Sequence, residues 1–320
     1  MNFKSKPTII EIRPIELGDF EKLLDSKIVV VIPAYNEERL IGSVVLKLKE
    51  YSHNIIVVDD GSSDDTSRIA ASAGAVVYRQ SPNQGKGIAL NLGFMKAREM
   101  DPDVVVAIDA DGQHYPNELP IVIGPVLDGE ADIVIGSRYL DERSDVPKTR
   151  VLGHRVLNKI THIISGTLVS DSQSGYRAFS PRAIQDIKFS ASDFSVEAEM
   201  QFIAKEHNWV VKEVPITISY TEPPKRSVWR QGLIVLNGIL HLAGQYRPLL
   251  YFSVPGGLSI LGGLFEGLRV IRTFQTTDQL AIGTAMVSVL LTILGGLMLS
   301  TGFILHSVRA LLIGLFKLNR

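Results

Sequence analysis

The chain contains no cysteine. That excludes disulfides, thiol nucleophiles and cysteine-bound zinc, and it fits a reducing compartment. Net charge is missing too. Lys and Arg number 33 against 34 Asp and Glu, a formal −1, so no bulk attraction to nucleic acid is expected. No GxGxxG follows the first apolar run. Gly85-Lys86-Gly87 lacks both the upstream glycine and the Ser/Thr of a Walker loop. Met1–Lys27 is polar and of mixed charge, so no secretory signal is expected there. What the chain has in excess is apolar residues. The mean hydropathy is +0.17, and the excess lies in the last quarter.

The first two thirds alternate between short β-branched runs and segments with helical spacing. Strands are expected at Lys27–Pro33, Ile55–Val58, Ala75–Tyr78, Val104–Ile108, Asp132–Gly136 and Val211–Tyr220. Helices are expected at Leu40–Tyr51, from Thr66, at Ile88–Arg98 and at Phe194–Lys205. Ser81–Gly87 and Asp171–Arg177 read as polar loops. This order predicts right-handed βαβ units and a mostly parallel α/β sheet. Residues 1–26 read as an arm outside it.

The polar clusters fall where those strands end: Tyr35-Asn36-Glu37, Asp59-Asp60, Asp109 with Asp111, and Arg138. In an open parallel sheet such ends share the edge that binds ligands. Asp109 and Asp111, two apart, project to one side if the backbone stays extended. Like charges so placed repel unless a cation or a proton intervenes, and hard oxygens suit Mg²⁺ or Mn²⁺ shared with a diphosphate. DxD alone, being short, reads more readily as two solvated carboxylates at a strand end. Lys86, between two glycines, reads either as a phosphate contact or as a solvated loop lysine.

Beyond residue 150 the pattern changes. Residues 150–169 form a basic amphipathic stretch and residues 227–247 a second one carrying Trp229, patterns suited to a membrane surface or to packing on another helix. Leu249–Phe265 and Leu280–Leu305 are apolar, the second without a charge, and about 20 such residues cross a bilayer. A hairpin turning at Arg272–Gln279 is expected. The competing reading is a hairpin buried in a soluble core. Residues 249–320 hold five Lys/Arg and two Asp/Glu, a net of +3, which leaves −4 for the remainder. Arg247, Arg309, Lys317 and Arg320 flank the outer ends of the hairpin, which predicts both ends on the cytoplasmic side of the cell membrane; Arg269 and Arg272 near the turn pull the other way.

The segments VIPAYNE (31–37), VVDDGSSDDT (57–66), NQGKGIALNLGF (83–94), DADGQH (109–114), GSRY (136–139), DSQSGYRAF (171–179) and RPLLYFSVPG (247–256) occur in this order. Together they resemble the dolichyl- and polyprenyl-phosphate sugar synthases of glycosyltransferase family 2. The resemblance covers roughly residues 28–270. It implies a GT-A fold, a Rossmann-like nucleotide-sugar domain over 27–226, with interface helices at 150–169 and 227–247 and a transmembrane hairpin over 248–320. It implies that Pro33, Tyr35, Glu37, Asp59, Asp60 and Lys86 face the donor. Asp109, Asp111 and Gln113 would hold Mg²⁺ or Mn²⁺. Arg138, Arg150, Arg155 and Ser174 would meet the acceptor phosphate, with Asp111, Arg138 and Arg177 central to catalysis.

The activity so implied is inverting hexose transfer from a nucleotide-diphosphate sugar to a lipid phosphate, GDP-mannose first and UDP-glucose or UDP-N-acetylglucosamine as alternatives. The implied partners are that donor, polyprenyl or dolichyl phosphate, the bilayer, and a second copy through the hairpin. One departure from the pattern stands out, and one alternative lacks its signature. Glu222-Pro223-Pro224-Lys225-Arg226-Ser227 stands where such enzymes often carry Arg-x-x-Gly-x-Ser-Lys. The QxxRW run of polysaccharide synthases, which glycosylate hydroxyls, is absent; only Trp229-Arg230-Gln231 occurs. A soluble nucleotidyltransferase, which also pairs aspartates, is disfavoured by the hairpin. The reading outside enzymology is a membrane-anchored nucleotide-sugar-binding scaffold without turnover.

Overall fold

The computed structural model describes residues 25–140, 157–162, 165–167, 169–190, 196–219 and 228–318. They form two compact units, divided between Ile239 and Leu240.

The first unit is a seven-stranded sheet in the order β3-β2-β1-β4-β6-β5-β7. Its strands are β1 (Ile28–Ala34), β2 (Asn54–Asp59), β3 (Val76–Arg79), β4 (Val104–Ala107), β5 (Ile133–Ser137), β6 (Arg177–Phe179) and β7 (Val211–Pro215). The period of two in β1 divides its side chains between two cores. Val30 and Ile32 pack with helices α1 (Ile41–Leu48), α2 (Thr66–Ser72) and α4 (Leu119–Leu127). Val29 and Val31 pack with α3 (Lys86–Arg98), α5 (Pro181–Asp186) and α6 (Val196–Glu206). Burial on both faces is why these strands read as unbroken apolar runs.

The parallel pairings β1–β2, β1–β4 and β2–β3 bring the ends of these strands to one edge. Four expectations need correction. The polar loop around residue 175 leads directly into β6, which inserts antiparallel between β4 and β5. Three residues are too few to show a period. Strand β4 stops at Ala107, and Asp109–Gly112 is a turn closed by Gly112 at φ 67°, so the two aspartates are not carried on extended backbone. Helix α3 begins at Lys86, which is therefore the first helical residue and not part of a loop. Strand β7 ends at Pro215 rather than near Tyr220.

The division between the units falls within α7 (Val228–Tyr246). The second unit continues through a π-helical turn at Leu249–Ser253 into α8 (Val254–Thr277) and α9 (Ile282–Leu318). Helix α8 runs through Arg272, so the turn is shorter than expected, with Asp278 in the left-handed region at its start. Leu249–Thr277 and Ile282–Leu312 are long and apolar enough to cross a membrane, at mean hydropathies of 1.3 and 2.1. Only 11% and 6% of their apolar stretches are buried, which is not the state of a helix inside a soluble core. Glu266 pairs with Arg269 one turn on, at 2.9 Å, so the interruption in the first span is charge-compensated.

The two spans meet along a glycine seam. A Cβ on Gly256 would lie 2.7 Å from the Gly295 carbonyl, and one on Gly263 would lie 2.8 Å from the Ser288 carbonyl. The Ser288 hydroxyl donates to the Gly263 carbonyl at 2.7 Å, and the Ser259 hydroxyl to the Leu291 carbonyl at 2.8 Å. Small residues with interhelical hydrogen bonds hold helices together where no hydrophobic effect is available. Gly263→Leu should therefore lower the melting temperature in detergent, at an overpacking cost of about 1–3 kcal/mol. Gly262→Leu, one residue away with nothing within 4 Å of its Cβ, should be neutral.

Candidate active site

The edge begins with two interlocked loops. After β1, the Asn36 N–H donates to the Ser62 hydroxyl and the Glu37 N–H to Thr66 Oγ1, at 2.9 and 2.8 Å. Asn36 adopts φ 55°, and its amide oxygen accepts from the Ser63 N–H. Tyr35 is left exposed beside Pro33, which is half-buried. After β2, Asp59 is fully buried and accepts from the Ser62 N–H and the Ser67 hydroxyl. Asp60 accepts from the N–H groups of Gln84 and Gly85, at 2.8 and 2.7 Å. Both aspartates thus build the edge, and Asp60 ties the start of α3 to the end of β2.

That tie places Lys86. Its ammonium lies 2.6 Å from Asp109 Oδ1 and 2.5 Å from Glu197 Oε1 of α6. Burial opposes its charge, but the two carboxylates hold its pKa above the usual lysine range. Burial would raise the Asp109 carboxyl, and Lys86, His114 and Arg138 together outweigh it and hold Asp109 low. Asp111 is supported less. Burial, Asp109 and Glu37 push it up to about 6 against a hydrogen bond from the Gln113 N–H and the weaker pull of Lys86. His114 is buried, with Nε2 3.9 Å from Asp109 Oδ2 and its pKa pushed down to about 4, burial being the largest cause. Gly175 packs directly on Asp109: any Cβ there would land on the carboxylate. Pro33, Lys86, Asp109, Gly175, Glu197 and Met200 line a cavity of only about 10 Å³.

Among the described residues, no three His, Asp or Glu side chains form a complete metal cage. Asp109, Asp111 and Gln113 are instead a partial set of hard oxygen donors on one turn. Such a set suits a small divalent cation that takes its remaining ligands from a diphosphate and water.

On the same edge, Arg138 follows β5. Its Nε and Nη2 donate to the two oxygens of Asp171 at 2.6 and 2.7 Å, a bidentate pair buried at both ends. The Asp171 loop is fixed in turn by Glu213 of β7, which accepts from the N–H groups of Ser170 and Asp171. Burial raises the Glu213 pKa against those hydrogen bonds. Ser174 is buried beside Gly175. Arg177 differs from expectation. It is 1% exposed at the start of β6, donating to the carbonyls of Ser174 and Ser172 at 2.9 Å each. It braces the loop from within the sheet and is buried, where an exposed arginine facing the acceptor was expected. Arg150, Arg155 and the Glu222–Ser227 run lie outside the described residues.

A model of the glycosyl transferase family 2 matches residues 29–188, half of the chain. The chain belongs to glycosyltransferase family 2. It is 40% identical over 218 residues to an uncharacterised protein, MJ1222, of Methanocaldococcus jannaschii, covering 67% of this chain and 90% of that one. It is 36% identical to the UDP-N-acetylglucosamine–dolichyl-phosphate N-acetylglucosaminyltransferase of Methanococcus voltae, covering 62% and 88%. Its fold matches the glucosyl-3-phosphoglycerate synthase of Mycobacterium tuberculosis in complex with Mn²⁺, UDP-glucose and phosphoglyceric acid, with a TM-score of 0.58 at 24% identity over 73% and 86% of the two chains. This glycosyltransferase thus carries a GT-A-type sheet.

Three residues that build the site carried no role in the sequence reading. Asp171 reads as one polar residue of a loop, and only the fold pairs it with Arg138. Glu213 sits in an alternating strand with no signal of its own. His114 belongs to DADGQH, but its burial against Tyr176 is not readable from spacing.

Two substitutions test this geometry. Gly175→Ala should lower turnover by about a hundredfold by displacing Asp109 while the protein stays folded, since misplacements near 1 Å cost that much. Asp171→Asn leaves a buried guanidinium without its charge partner and should cost about 3–5 kcal/mol in thermal unfolding.

Proposed function

We propose that this glycosyltransferase moves a hexose or N-acetylhexosamine from a nucleotide-diphosphate sugar to polyprenyl or dolichyl phosphate, with inversion, at the cytoplasmic face of the cell membrane. One observation carries the reading. A carboxylate pair suited to a divalent cation and a buried, carboxylate-anchored arginine share one sheet edge, in a chain that also holds an apolar hairpin. The M. voltae relative named for a dolichyl-phosphate acceptor supports it.

The chemistry asks little of the protein beyond charge and position. A phosphate acceptor is already an anion, so no base needs to remove a proton from it. Asp109, Asp111 and Gln113 would hold Mg²⁺ or Mn²⁺, which supplies positive charge for the departing diphosphate. Tyr35 and the Asn36–Glu37 turn offer a wall for the nucleoside, with Asp60 fixing the loop opposite. Arg138 supplies fixed donors toward the acceptor side, where Asp171 keeps the guanidinium oriented. Ser174 and Gly175 bring the acceptor loop against Asp109, so donor and acceptor anions are held on neighbouring ground. Attack opposite the leaving group gives a β-linked lipid-phosphate sugar from an α-linked donor. The basic residues at the outer ends of the hairpin support the cytoplasmic orientation.

The donor reading keeps GDP-mannose first, on motif resemblance. The name of the M. voltae relative favours UDP-N-acetylglucosamine as a second reading. Purified protein given polyprenyl phosphate, Mn²⁺ and each donor separately should label the lipid from one of them. In that assay Asp111→Ala should abolish transfer, whereas Glu197→Gln should retain a measurable part, because Glu197 is no base here. Equal and complete loss in both would contradict the base-free mechanism. Nucleotide binding without transfer to any lipid phosphate would favour the scaffold.

A further inference from the structure

The ammonium of Lys86 stands on a carboxylate that the proposed function assigns to a metal. Asp109 is part-exposed, at 27% of its side chain, but its Oδ1 is taken: Lys86 lies 2.6 Å from it, the Gly175 backbone lies against the carboxylate, and His114 stands 3.9 Å from Oδ2. The adjoining cavity of about 10 Å³ has room for about one water. A divalent cation cannot take Asp109 Oδ1 while Lys86 holds it. Lys86 has a second place to go. Glu197 is 3% exposed and gives only Oε1 to Lys86; its Oε2 is buried and has no hydrogen-bond partner. An orphaned buried carboxylate oxygen is costly, and an ammonium with three donors can satisfy it.

We propose that Lys86 is the resident counter-ion of Asp109, displaced by the divalent cation, and that Glu197 is the carboxylate that retains the displaced ammonium. This rests on the proposed metal site and adds a consequence for its use. Metal and nucleotide bind cooperatively. Metal alone must compete with a fixed internal cation, whereas the diphosphate brings negative charge that stabilises both cations side by side. In the metal-free protein Lys86 holds the Asp109 carboxylate in place. Glu197 is thus a positioning residue that acts through Lys86.

The test is Mn²⁺ binding to full-length protein in detergent, read from the electron paramagnetic resonance signal of free Mn²⁺, with and without UDP or GDP and with no acceptor present. Wild-type protein should bind Mn²⁺ weakly alone and at least about tenfold more tightly with nucleotide. Lys86→Met/Glu197→Gln, which removes the buried pair together, should bind Mn²⁺ without nucleotide about ten- to hundredfold more tightly than wild type, the range in which groups beside metal ligands act. Glu197→Gln alone should weaken binding below wild type, because Lys86 then has only Asp109. Melting temperatures of all variants separate these shifts from loss of fold. Unchanged Mn²⁺ affinity in both folded variants, with nucleotide-dependent Mn²⁺ binding intact in wild type, overturns the counter-ion role and leaves the metal site standing. No Mn²⁺ binding to any variant, even with nucleotide, overturns both.

Discussion

Everything at this edge of the sheet depends on how two carboxylates are held two residues apart in a part-buried turn. Asp109 and Asp111 repel, and burial raises the cost of charging either. The protein resolves this unequally. Lys86 neutralises Asp109 directly, and Asp111 is left to carry the strain, its pKa pushed up to about 6. A turn so charged is unfavourable for folding in itself and favours the arrival of positive charge. Its place in the fold is set by Val104–Ala107, which is buried on both faces and cannot shift without exposing two cores.

The sheet order turns that local tension into a site. Inserting β6 antiparallel between β4 and β5 makes its entering loop, Asp171–Tyr176, arrive at the edge where β4 and β5 end. Gly175 then reaches Asp109, and Asp171 reaches Arg138. A strand of three residues thereby connects the Asp109 turn to the Arg138–Asp171 pair. Arg177, at its first position, spends its charge on the carbonyls of that loop, which explains why so basic a residue tolerates full burial. The second unit follows a different physics. Its helices expose Leu, Ile and Phe outward and approach each other through Gly256, Gly263 and Gly295.

Much of this was legible in the sequence, for identifiable reasons. Doubly buried strands advertise themselves as β-branched runs, so β1, β2, β4 and β5 and the edge they share could be placed from residue type alone. The hairpin followed from length and hydropathy. What the sequence concealed was contact between distant segments. Lys86 reads as a loop lysine beside glycines. Only the docking of α6 on the sheet brings Glu197 to it, 111 residues away. Arg177 reads as an active-site arginine because it follows Ser174-Gly175-Tyr176, yet strand pairing with Ala107 and Ile135 draws it inward. Asp109 and Asp111 do not sit on extended backbone, because Gly112 with its positive φ closes a turn that still leaves the two carboxylates close enough to repel.

The account stands on the identity of the bond that is made. The direct measurement is nuclear magnetic resonance of the purified lipid product formed with whichever donor is accepted, reading the coupling between the sugar C1 and phosphorus and the anomeric configuration. The account predicts a C1–O–P linkage with the anomeric centre inverted to β. A sugar joined to a hydroxyl with no coupling to phosphorus, or an α-linked phosphate, would contradict it.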